Sequence, residues 1–481
     1  MPRFAHLAVL AVGVAAVPVV ADELHVPSEY ATIQEAIDAA HHGDEVVLAS
    51  GDYTELIDFK GKAITLRSAS PDDPTSVEGT RFLFDLAGGD QGMLLVSGEG
   101  PDTIVDGLTL YPPLNLLGSV FTIEGASPTF RRCAWRSGAG RKPISIADGS
   151  PTFEDCTSAT STGTWLPLSL SAASVLVRDC TIRSIRPVDD PAHPSTLSLE
   201  RCSMAGLAGG ILLVDDSANP VPAPTIVLDT CQFTEGAQIW GTIEPPASLI
   251  ARNCEFRTDG VTEQSLLLSM SGAPATFESC VFGPQDVPLL YAINPYYSHA
   301  LINTSGQTTT EFLSCTFEQV TSDTTIDYED ADPGVLVATD GASLLLDHCV
   351  FDSVKLRSKP LIYTQDGTLT ITSTDVASDV PLAFDFCHLI GIKDSETLIQ
   401  DSLLHWPEGV DCNTSVTFWI MPSLHAEGGS TEDRASNRWS RSTQPKPGRR
   451  TAQGSGSQGL TQRCALQTSG PSLSMPTTAL A

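Results

Sequence analysis

The sequence has few basic residues for its length. It contains 27 lysines and arginines against 58 aspartates and glutamates in 481 residues, so its formal net charge is −31. Nucleic-acid binding depends on a basic surface that displaces counterions from phosphates, and anionic membranes attract the same kind of surface. The composition argues against both partners, and an acidic polysaccharide would be repelled unless a divalent cation bridged it.

Motifs of common catalytic and metal centres are also missing. The twelve cysteines include no Cys-x-x-Cys pair, and no histidine pair has the spacing of a zinc site. The chain has neither a Gly-x-Ser-x-Gly elbow nor a phosphate loop, which removes the usual signatures of serine hydrolases and P-loop proteins. No later segment is long and apolar enough for a membrane span.

The first 21 residues have the features of a secretory signal. Arg3 and His6 precede an apolar run over residues 7–20, and small residues lead up to a cleavage site after Ala21. We therefore expect a mature protein that is secreted, periplasmic or on the cell surface.

A repeated cysteine pattern dominates the middle of the chain. Position −3 before each cysteine is apolar, a polar pair follows it in all units but one, and position +2 is usually large and apolar, as in Trp135 and Phe233. We predict one short strand per unit, with positions −3, 0 and +2 inward and a turn between −3 and 0. Gly107, Thr374 and Ser402 continue the frame in steps of about 27 residues, a length typical of solenoid repeats. The nine cysteines are Cys133, Cys156, Cys180, Cys202, Cys231, Cys254, Cys280, Cys315 and Cys349.

This spacing predicts a ladder of free thiols rather than a disulfide framework. Parallel strands lie about 4.8 Å apart, and stacked cysteines point the same way at that spacing. Their Cβ atoms are then farther apart than the roughly 3.5–4.5 Å of a disulfide. We expect buried thiols that act as small apolar fillers. Cys387, Cys412 and Cys464 lie outside the frame.

Position −2 carries alternating charge along the repeats. Stacking would place opposite charges side by side at most steps, and a slipped coil would bring like charges together. We interpret the pattern as a device that sets register. Its members are Arg131, Glu154, Arg178, Glu200, Asp229, Arg252 and Glu278.

Residues 22–56 form a distinct opening. We predict a strand over 24–27, an amphipathic helix over 32–40 with Ile33, Ala36 and Ile37 on one face, and a strand over 46–48. Together with residues 63–67, this opening resembles the amino-terminal cap of the pectin-lyase-like superfamily of right-handed parallel β-helix proteins. The resemblance covers roughly residues 22–405. It implies an all-β, single-stranded right-handed parallel β-helix of about 12–14 coils with an N-terminal helical cap.

The superfamily contains lyases, hydrolases, esterases, epimerases and proteins without known activity, so the resemblance does not imply one function. The expected organisation is a signal peptide over 1–21, a cap and first coil over 22–56, the β-helix over 57–412 and a disordered tail over 413–481. The tail is rich in Ser, Gly, Gln and Thr and locally basic. A frame error in the coding sequence would produce an equally abrupt change.

Two successive steps are longer than the others. Steps elsewhere between the cysteines span 22–29 residues, but 35 separate Cys280 from Cys315 and 34 separate Cys315 from Cys349. The extra length must leave the stack as loops, where binding residues are usually found. The first loop carries Tyr291, Tyr296, Tyr297 and His299, whose rings suit stacking on sugars; the alternative is that they pack the loop onto the solenoid.

The second loop is acidic. Clustered carboxylates suit calcium, which could bridge an anionic glycan. The spacing is not that of an EF-hand, and a simply solvated turn is the alternative. The candidate ligands are Asp323, Asp327, Glu329, Asp330 and Asp332.

A third cluster contains Arg183, Arg186, Asp189, Asp190 and His193. Its adjacent aspartates resemble the paired acids of polygalacturonase-like hydrolases, but the accompanying Gly-His-Gly and Arg-Ile-Lys elements are missing, which favours an ordinary turn. The Asp-Phe-Ile-Phe-Gly element of pectin methylesterases is missing as well. Five coils, or about 24 Å, separate this cluster from the acidic loop, too far for joint catalysis.

The sequence thus favours a non-catalytic exported scaffold that presents an elongated surface to a polysaccharide, a cell-envelope component or a protein. The alternative is a polysaccharide lyase or hydrolase that uses the two long loops. No cofactor other than calcium is indicated.

Overall fold

The structure is a computed structural model. It describes residues 21–83, 93–96, 99–111, 121–136, 144–158, 166–205, 210–213, 221–235, 237–257, 267–283, 285–287, 302–322, 335–356, 361–378, 390–405, 416–419 and 464–465. The chain winds into a parallel solenoid whose coils pass through three sheets in the same order, numbered here 1, 2 and 3. The predicted all-β, right-handed parallel β-helix is confirmed.

Sheet 1 has 15 strands, paired in parallel and in chain order. Successive side chains of a strand point to opposite faces, so Leu197 and Leu199 are buried while Ser198 between them faces outward. The strands are Glu23–Val26, Glu45–Leu48, Thr65–Ser68, Ile104–Asp106, Thr129–Arg131, Thr152–Glu154, Ser174–Arg178, Thr196–Glu200, Thr225–Asp229, Leu249–Arg252, Ala275–Glu278, Thr309–Leu313, Ser343–Asp347, Thr368–Thr372 and Glu396–Gln400.

Sheet 2 follows sheet 1 in each coil and has shorter strands. All of its pairings are parallel except the last, which joins Leu403–His405 to Cys464–Ala465. Two accessory strands, Gln285–Val287 and Val320–Ser322, pair with each other. The main strands are Gly51–Tyr53, Thr80–Leu83, Thr109–Tyr111, Ala134–Trp135, Thr157–Ser158, Thr181–Ile182, Ser203–Ala205, Gln232–Thr234, Glu255–Phe256, Val281–Phe282, Thr316–Glu318, Val350–Leu356, Asp375–Ser378, Leu403–His405 and Cys464–Ala465.

Sheet 3 has 14 parallel strands and completes the coil. Its last strand lies beyond residue 412. The strands are Ile57–Asp58, Met93–Val96, Phe121–Glu124, Ile144–Ala147, Leu166–Ser171, Ser184–Asp189, Gly210–Leu213, Gln238–Ile243, Leu267–Ser271, Ile302–Ser305, Leu336–Thr339, Ile362–Gln365, Ile390–Lys393 and Val416–Trp419.

Two short helices interrupt the strands. Helix α1, Ile33–Ala39, begins at Thr32, whose side chain accepts a hydrogen bond from the Glu35 N–H, a common way to start a helix. Its buried residues Ile33, Ala36 and Ile37 join the solenoid core. Helix α2 is Pro74–Gly79. No helix among the described residues is long and apolar enough to cross a bilayer.

Sheets 1 and 2 meet at a sharp bend directly before each cysteine, called here the thiol corner. The residue at position −1, such as Arg132 or Thr230, has φ between 51° and 56°, a left-handed conformation uncommon outside glycine. The cysteine unit is therefore two strands joined at this residue, not the single strand predicted. The predicted inward positions hold, because Phe130, Cys133 and Trp135 are all buried.

The nine cysteines of the frame are free and buried. Each donates from Sγ to backbone carbonyls; Cys180, for example, reaches the carbonyl of Phe153 in the preceding coil over 3.5 Å. The N–H of Cys156 in turn donates to Sγ of Cys180 over 3.3 Å. Burial raises the pKa of the Cys156 thiol well above its ordinary value. This thiol therefore keeps the proton that it donates to backbone carbonyls.

The frame slips by one residue at its start. Asp106 pairs with Arg131, and Thr109 pairs with Ala134. Gly107 therefore occupies the bend position, and Leu108, not Gly107, occupies the cysteine slot. Glycine suits the bend here because its φ is +65° and an added Cβ would lie 2.6 Å from Cα of Pro71. At the other end, the N–H of Cys349 donates to Oγ1 of Thr374, and the N–H of Thr374 donates to Oγ of Ser402.

The core beside the thiol corner contains a column of stacked rings at position +2. Successive ring centroids lie 4.9, 5.1, 4.8 and 4.3 Å apart, which is close to the strand spacing. The column is Phe233, Phe256, Phe282, Phe317 and Phe351. All five rings are buried, so the predicted inward position is confirmed.

The charges at position −2 lie side by side on the outer face of sheet 1, as predicted. Arg178 pairs in register with Glu154 on one side and Glu200 on the other, and its guanidinium is 2.9 Å from the Glu154 carboxylate. Along the series from Arg131 to Glu278, only Glu200 and Asp229 form a like-charged step.

Candidate functional site

The two predicted loop sites lie outside the described residues. This applies to Tyr291, Tyr296, Tyr297 and His299 of the aromatic segment, and to Asp323, Asp327, Glu329, Asp330 and Asp332 of the acidic one. The strands that flank the segments are described, and they show which corner of the coil the segments belong to.

Both segments join sheet 2 to sheet 3 in consecutive coils. The strand before residues 288–301 pairs with the strand before residues 323–334, Gln285–Val287 with Val320–Ser322. The strands that follow them, Ile302–Ser305 and Leu336–Thr339, also pair in register. The two longest steps therefore start at equivalent points and end at equivalent points, next to the same part of sheet 3.

The outer face of sheet 3 at this point carries almost no charge. Over five successive strands, from Leu267–Ser271 to Ile390–Lys393, the outward positions hold hydroxyl, amide, apolar and one phenol side chain, and the single ionic group is Lys393. In strand order they are Ser269, Ser271, Asn303, Ser305, Val337, Thr339, Tyr363, Gln365, Gly391 and Lys393. Val337 and Gly391 are buried, and the other eight are partly exposed. We call this set the neutral strip.

A row of carboxylates borders the neutral strip where sheet 3 turns toward sheet 1. Asp340, Asp366 and Asp394 each follow the last residue of a strand in three consecutive coils, and all three are exposed. Each has a left-handed backbone, with φ of 57°, 52° and 46°, a conformation that aspartate tolerates better than most residues.

Two residues of the strip have unusual surroundings. The buried Oδ1 of Asn303 has no hydrogen-bond partner among the described residues. The Tyr363 hydroxyl donates to Oε1 of Gln365 over 3.1 Å. Burial raises the pKa of Tyr363, and the nearby carboxylates of Asp366 and Asp394 raise it further. The phenol therefore stays protonated and can donate a hydrogen bond.

The third predicted cluster does not converge on one site. In the strand Ser184–Asp189, Asp189 points into the solenoid and is 7% exposed, and its Oδ2 accepts the N–H of Ser195 over 3.0 Å. Asp190 and Arg186 point outward. Adjacent residues of a strand face opposite sides, so the two aspartates cannot act on one bond as paired acids do.

Asp190 instead organises the turn that follows its strand. The His193 N–H donates to the Asp190 carbonyl over 2.9 Å, and Nδ1 of His193 lies 2.8 Å from Oδ2 of Asp190. This hydrogen bond raises the pKa of His193 and lowers that of Asp190. Arg183 lies one residue before the strand, where its N–H donates to Oγ of Ser158. The expected turn is what the structure has.

The neutral strip was not predicted from the sequence, although a signal was present. Strands such as Ile302–Ser305, Ile362–Gln365 and Ile390–Lys393 each alternate a buried residue with a polar residue or glycine. Within the described part of the chain, no group of three or more His, Cys, Asp or Glu side chains has the geometry of a metal site.

Comparisons with known proteins identify no relative by sequence. No family model matches the chain, and no curated protein matches it. Among solved structures, the catalytic domain of a GH87 α-1,3-glucanase in complex with tetrasaccharides is 8% identical, over 85% of this chain and 69% of that one, with a TM-score of 0.33.

Two further solved structures are similar at the same level. PfbA, a surface adhesin of Streptococcus pneumoniae, is 11% identical over 82% of this chain and 92% of its own, with a TM-score of 0.31. The receptor-binding domain of the Siphovirus 9NA tailspike is 9% identical over 85% and 77%, also with 0.31. By its own three sheets, the chain has a parallel β-helix fold.

Proposed function

We propose that this chain is an exported β-helix scaffold without catalytic function, which presents an elongated surface to a glycan or protein partner. One observation carries the proposal. The two longest connections occur in consecutive coils, and both end on the part of sheet 3 that bears the neutral strip. A rigid sheet bordered by long segments is a common arrangement for binding.

Within this proposal, the aromatic segment supplies the contacts with a sugar ring. Tyr291, Tyr296, Tyr297 and His299 offer apolar faces with polar tips. The acidic segment, with Asp323, Asp327, Glu329, Asp330 and Asp332, would hold calcium if the ligand were anionic. The signal-like residues 1–21 support export to the cell surface or beyond.

The described residues favour binding over catalysis. A retaining or inverting glycosidase needs two carboxyl groups about 5–10 Å apart on one side of the bond, and Asp189 and Asp190 face opposite sides of their strand. The neutral strip itself contains no carboxylate. The alternative function, a polysaccharide lyase or hydrolase, would draw its acids from the acidic segment or from the row of Asp340, Asp366 and Asp394 beside the strip.

Activity assays test the choice between these functions. The protein would be incubated with pectate and alginate, with and without calcium, while unsaturated products are followed in the ultraviolet and reducing ends by colour. We expect no turnover. Turnover that is lost in the Asp327→Asn and Asp330→Asn variants would establish the enzyme instead, with Asp229→Asn on sheet 1 as a matched control.

Binding is tested separately, by loss of ligand retention in a Tyr296→Ser and Tyr297→Ser double variant.

A further inference from the structure

We propose that the neutral strip binds an uncharged polysaccharide rather than a polyuronate. This inference rests on the proposed binding function and specifies its ligand class. It uses only described residues of sheet 3 and the corner next to it.

The first argument is the absence of cations that could hold a polyanion. Recognition of carboxylates relies on arginine or lysine, and arginine can bind both carboxylate oxygens at once. Among the ten outward residues of the strip, Lys393 alone is cationic, and Asp394 follows it directly. A uronate chain along the strip would find no series of positive groups at the spacing of the strands.

The second argument is the sign of the bordering charge. Asp340, Asp366 and Asp394 lie on three consecutive coils and are exposed, so they are about 4.8 Å apart per coil. A ligand on the strip would be closer to this row than the Debye length of about 8 Å at physiological salt. The row therefore disfavours a polyanion on the strip but has little effect on a neutral chain.

The third argument is the chemistry of the strip itself. Hydroxyl and amide side chains both donate and accept hydrogen bonds, which matches the hydroxyl groups of neutral sugars. Tyr363 adds a ring that is partly exposed and lies between Val337 and Gly391 in register. The exposed part of the ring offers an apolar face with a polar tip, which suits stacking on a sugar.

Affinity electrophoresis of the full chain tests the proposal. Native gels would contain a soluble β-glucan, an α-glucan, a galactomannan, polygalacturonate or alginate, with and without calcium. We expect retardation in at least one neutral gel and none in the two polyuronate gels. Retardation by the neutral polysaccharide should persist in 0.5 M salt and in a chelator, because no ion pair or bridging cation is involved.

Variants locate the site. Tyr363→Ala should weaken retardation at least fivefold, whereas Tyr363→Phe should stay within twofold because the stacking face remains. Thr370→Ala is the matched control, since Thr370 faces outward from sheet 1 in the same coil. Ser305→Arg supplies a second test on an outward position that leaves the core unchanged, and it should also abolish retardation. Melting temperatures would show that each variant is folded.

The outcomes separate this inference from the proposed function. Retardation only by polyuronates, lost in Tyr363→Ala, would overturn the ligand class while leaving the binding scaffold intact. Neutral binding that is unaffected by both Tyr363→Ala and Ser305→Arg would place the site elsewhere. If none of the five polysaccharides retards the protein, the inference is overturned. The proposed binding function would then require a protein partner.

Discussion

The backbone N–H of Cys156 donates a hydrogen bond to Sγ of Cys180 in the next coil, over 3.3 Å. The same thiol reaches the carbonyl of Phe153 over 3.5 Å. One buried sulfur thus links two coils at a bend where the strand direction changes. Threonine and serine take over this position at the last two rungs, Thr374 and Ser402, with their hydroxyl oxygens accepting the equivalent N–H.

This relationship predicts different effects for two substitutions of Cys180. Cys180→Ala should lower the free energy of unfolding by about 1–3 kcal/mol, because it leaves the buried N–H of Cys156 without an acceptor. Cys180→Ser should cost less, because the hydroxyl can replace both bonds. Urea unfolding followed by circular dichroism measures the difference. Equal losses for serine and alanine would mean that the sulfur acts only as a filler.

The ring column predicts a larger loss in the core. Phe256 lies between Phe233 and Phe282, with ring centroids 4.9 and 5.1 Å away. Phe256→Ala should destabilise the protein by about 3–5 kcal/mol, since it opens a cavity and removes both stacks. Phe256→Leu should cost clearly less because it keeps most of the volume.

The matched control for the ring column is Val350→Ala, at a site that is 44% exposed. It should change stability by no more than about 0.5 kcal/mol. Thermal unfolding of the three variants under one set of conditions gives the order of their stability losses. A loss below about 1 kcal/mol for Phe256→Ala would show that the column adds little to the core.

Residue patterns predicted the interior of this protein better than its bends. Inward positions must be apolar or small, so the sequence alone identifies Phe130, Cys133 and Trp135 as core residues. It does not identify the left-handed residue, because Arg132 and Thr230 have no preference for that conformation. For the same reason the predicted frame is one residue out at Gly107. This glycine lies in the bend, and Leu108 occupies the cysteine position.

The candidate site was harder to predict for a different reason. Aromatic and acidic runs are conspicuous in a sequence, whereas the neutral strip is assembled from two outward residues in each of five coils. Two of its members, Asn303 and Tyr363, are 60 positions apart in the chain, and only the register places them two strands apart on one face. Conversely, Asp189 and Asp190 are adjacent in sequence but face opposite sides of a strand.

The charge series on sheet 1 predicts a partial rescue. Arg178 stands between Glu154 and Glu200, and Glu200 is followed by Asp229. Arg178→Glu would create two new like-charged steps and should lower stability by up to about 1–2 kcal/mol, because exposed pairs contribute about 0–1 kcal/mol each. Adding Glu200→Arg restores one opposite-charged step and turns the like-charged step to Asp229 into an opposite-charged one, so it should recover much of that loss. Unfolding midpoints at low salt measure both effects, and 1 M salt should reduce them; strictly additive losses would contradict a role in register.

The turn after Asp190 predicts a measurable histidine titration. Nδ1 of His193 lies 2.8 Å from the Asp190 carboxylate, and this bond raises the pKa of His193 above its ordinary value of 6.5. A group whose pKa is raised by folding contributes stability that is complete below the pKa of the unfolded chain and is lost as pH rises through the pKa of the folded chain. The turn should therefore loosen as pH rises past about 6.5. Carbon-13 signals of labelled histidines would give the pKa, and Asp190→Asn should return it toward 6.5, with His25→Gln used to assign a second exposed histidine. An unshifted His193 in the unmodified protein would contradict the pairing.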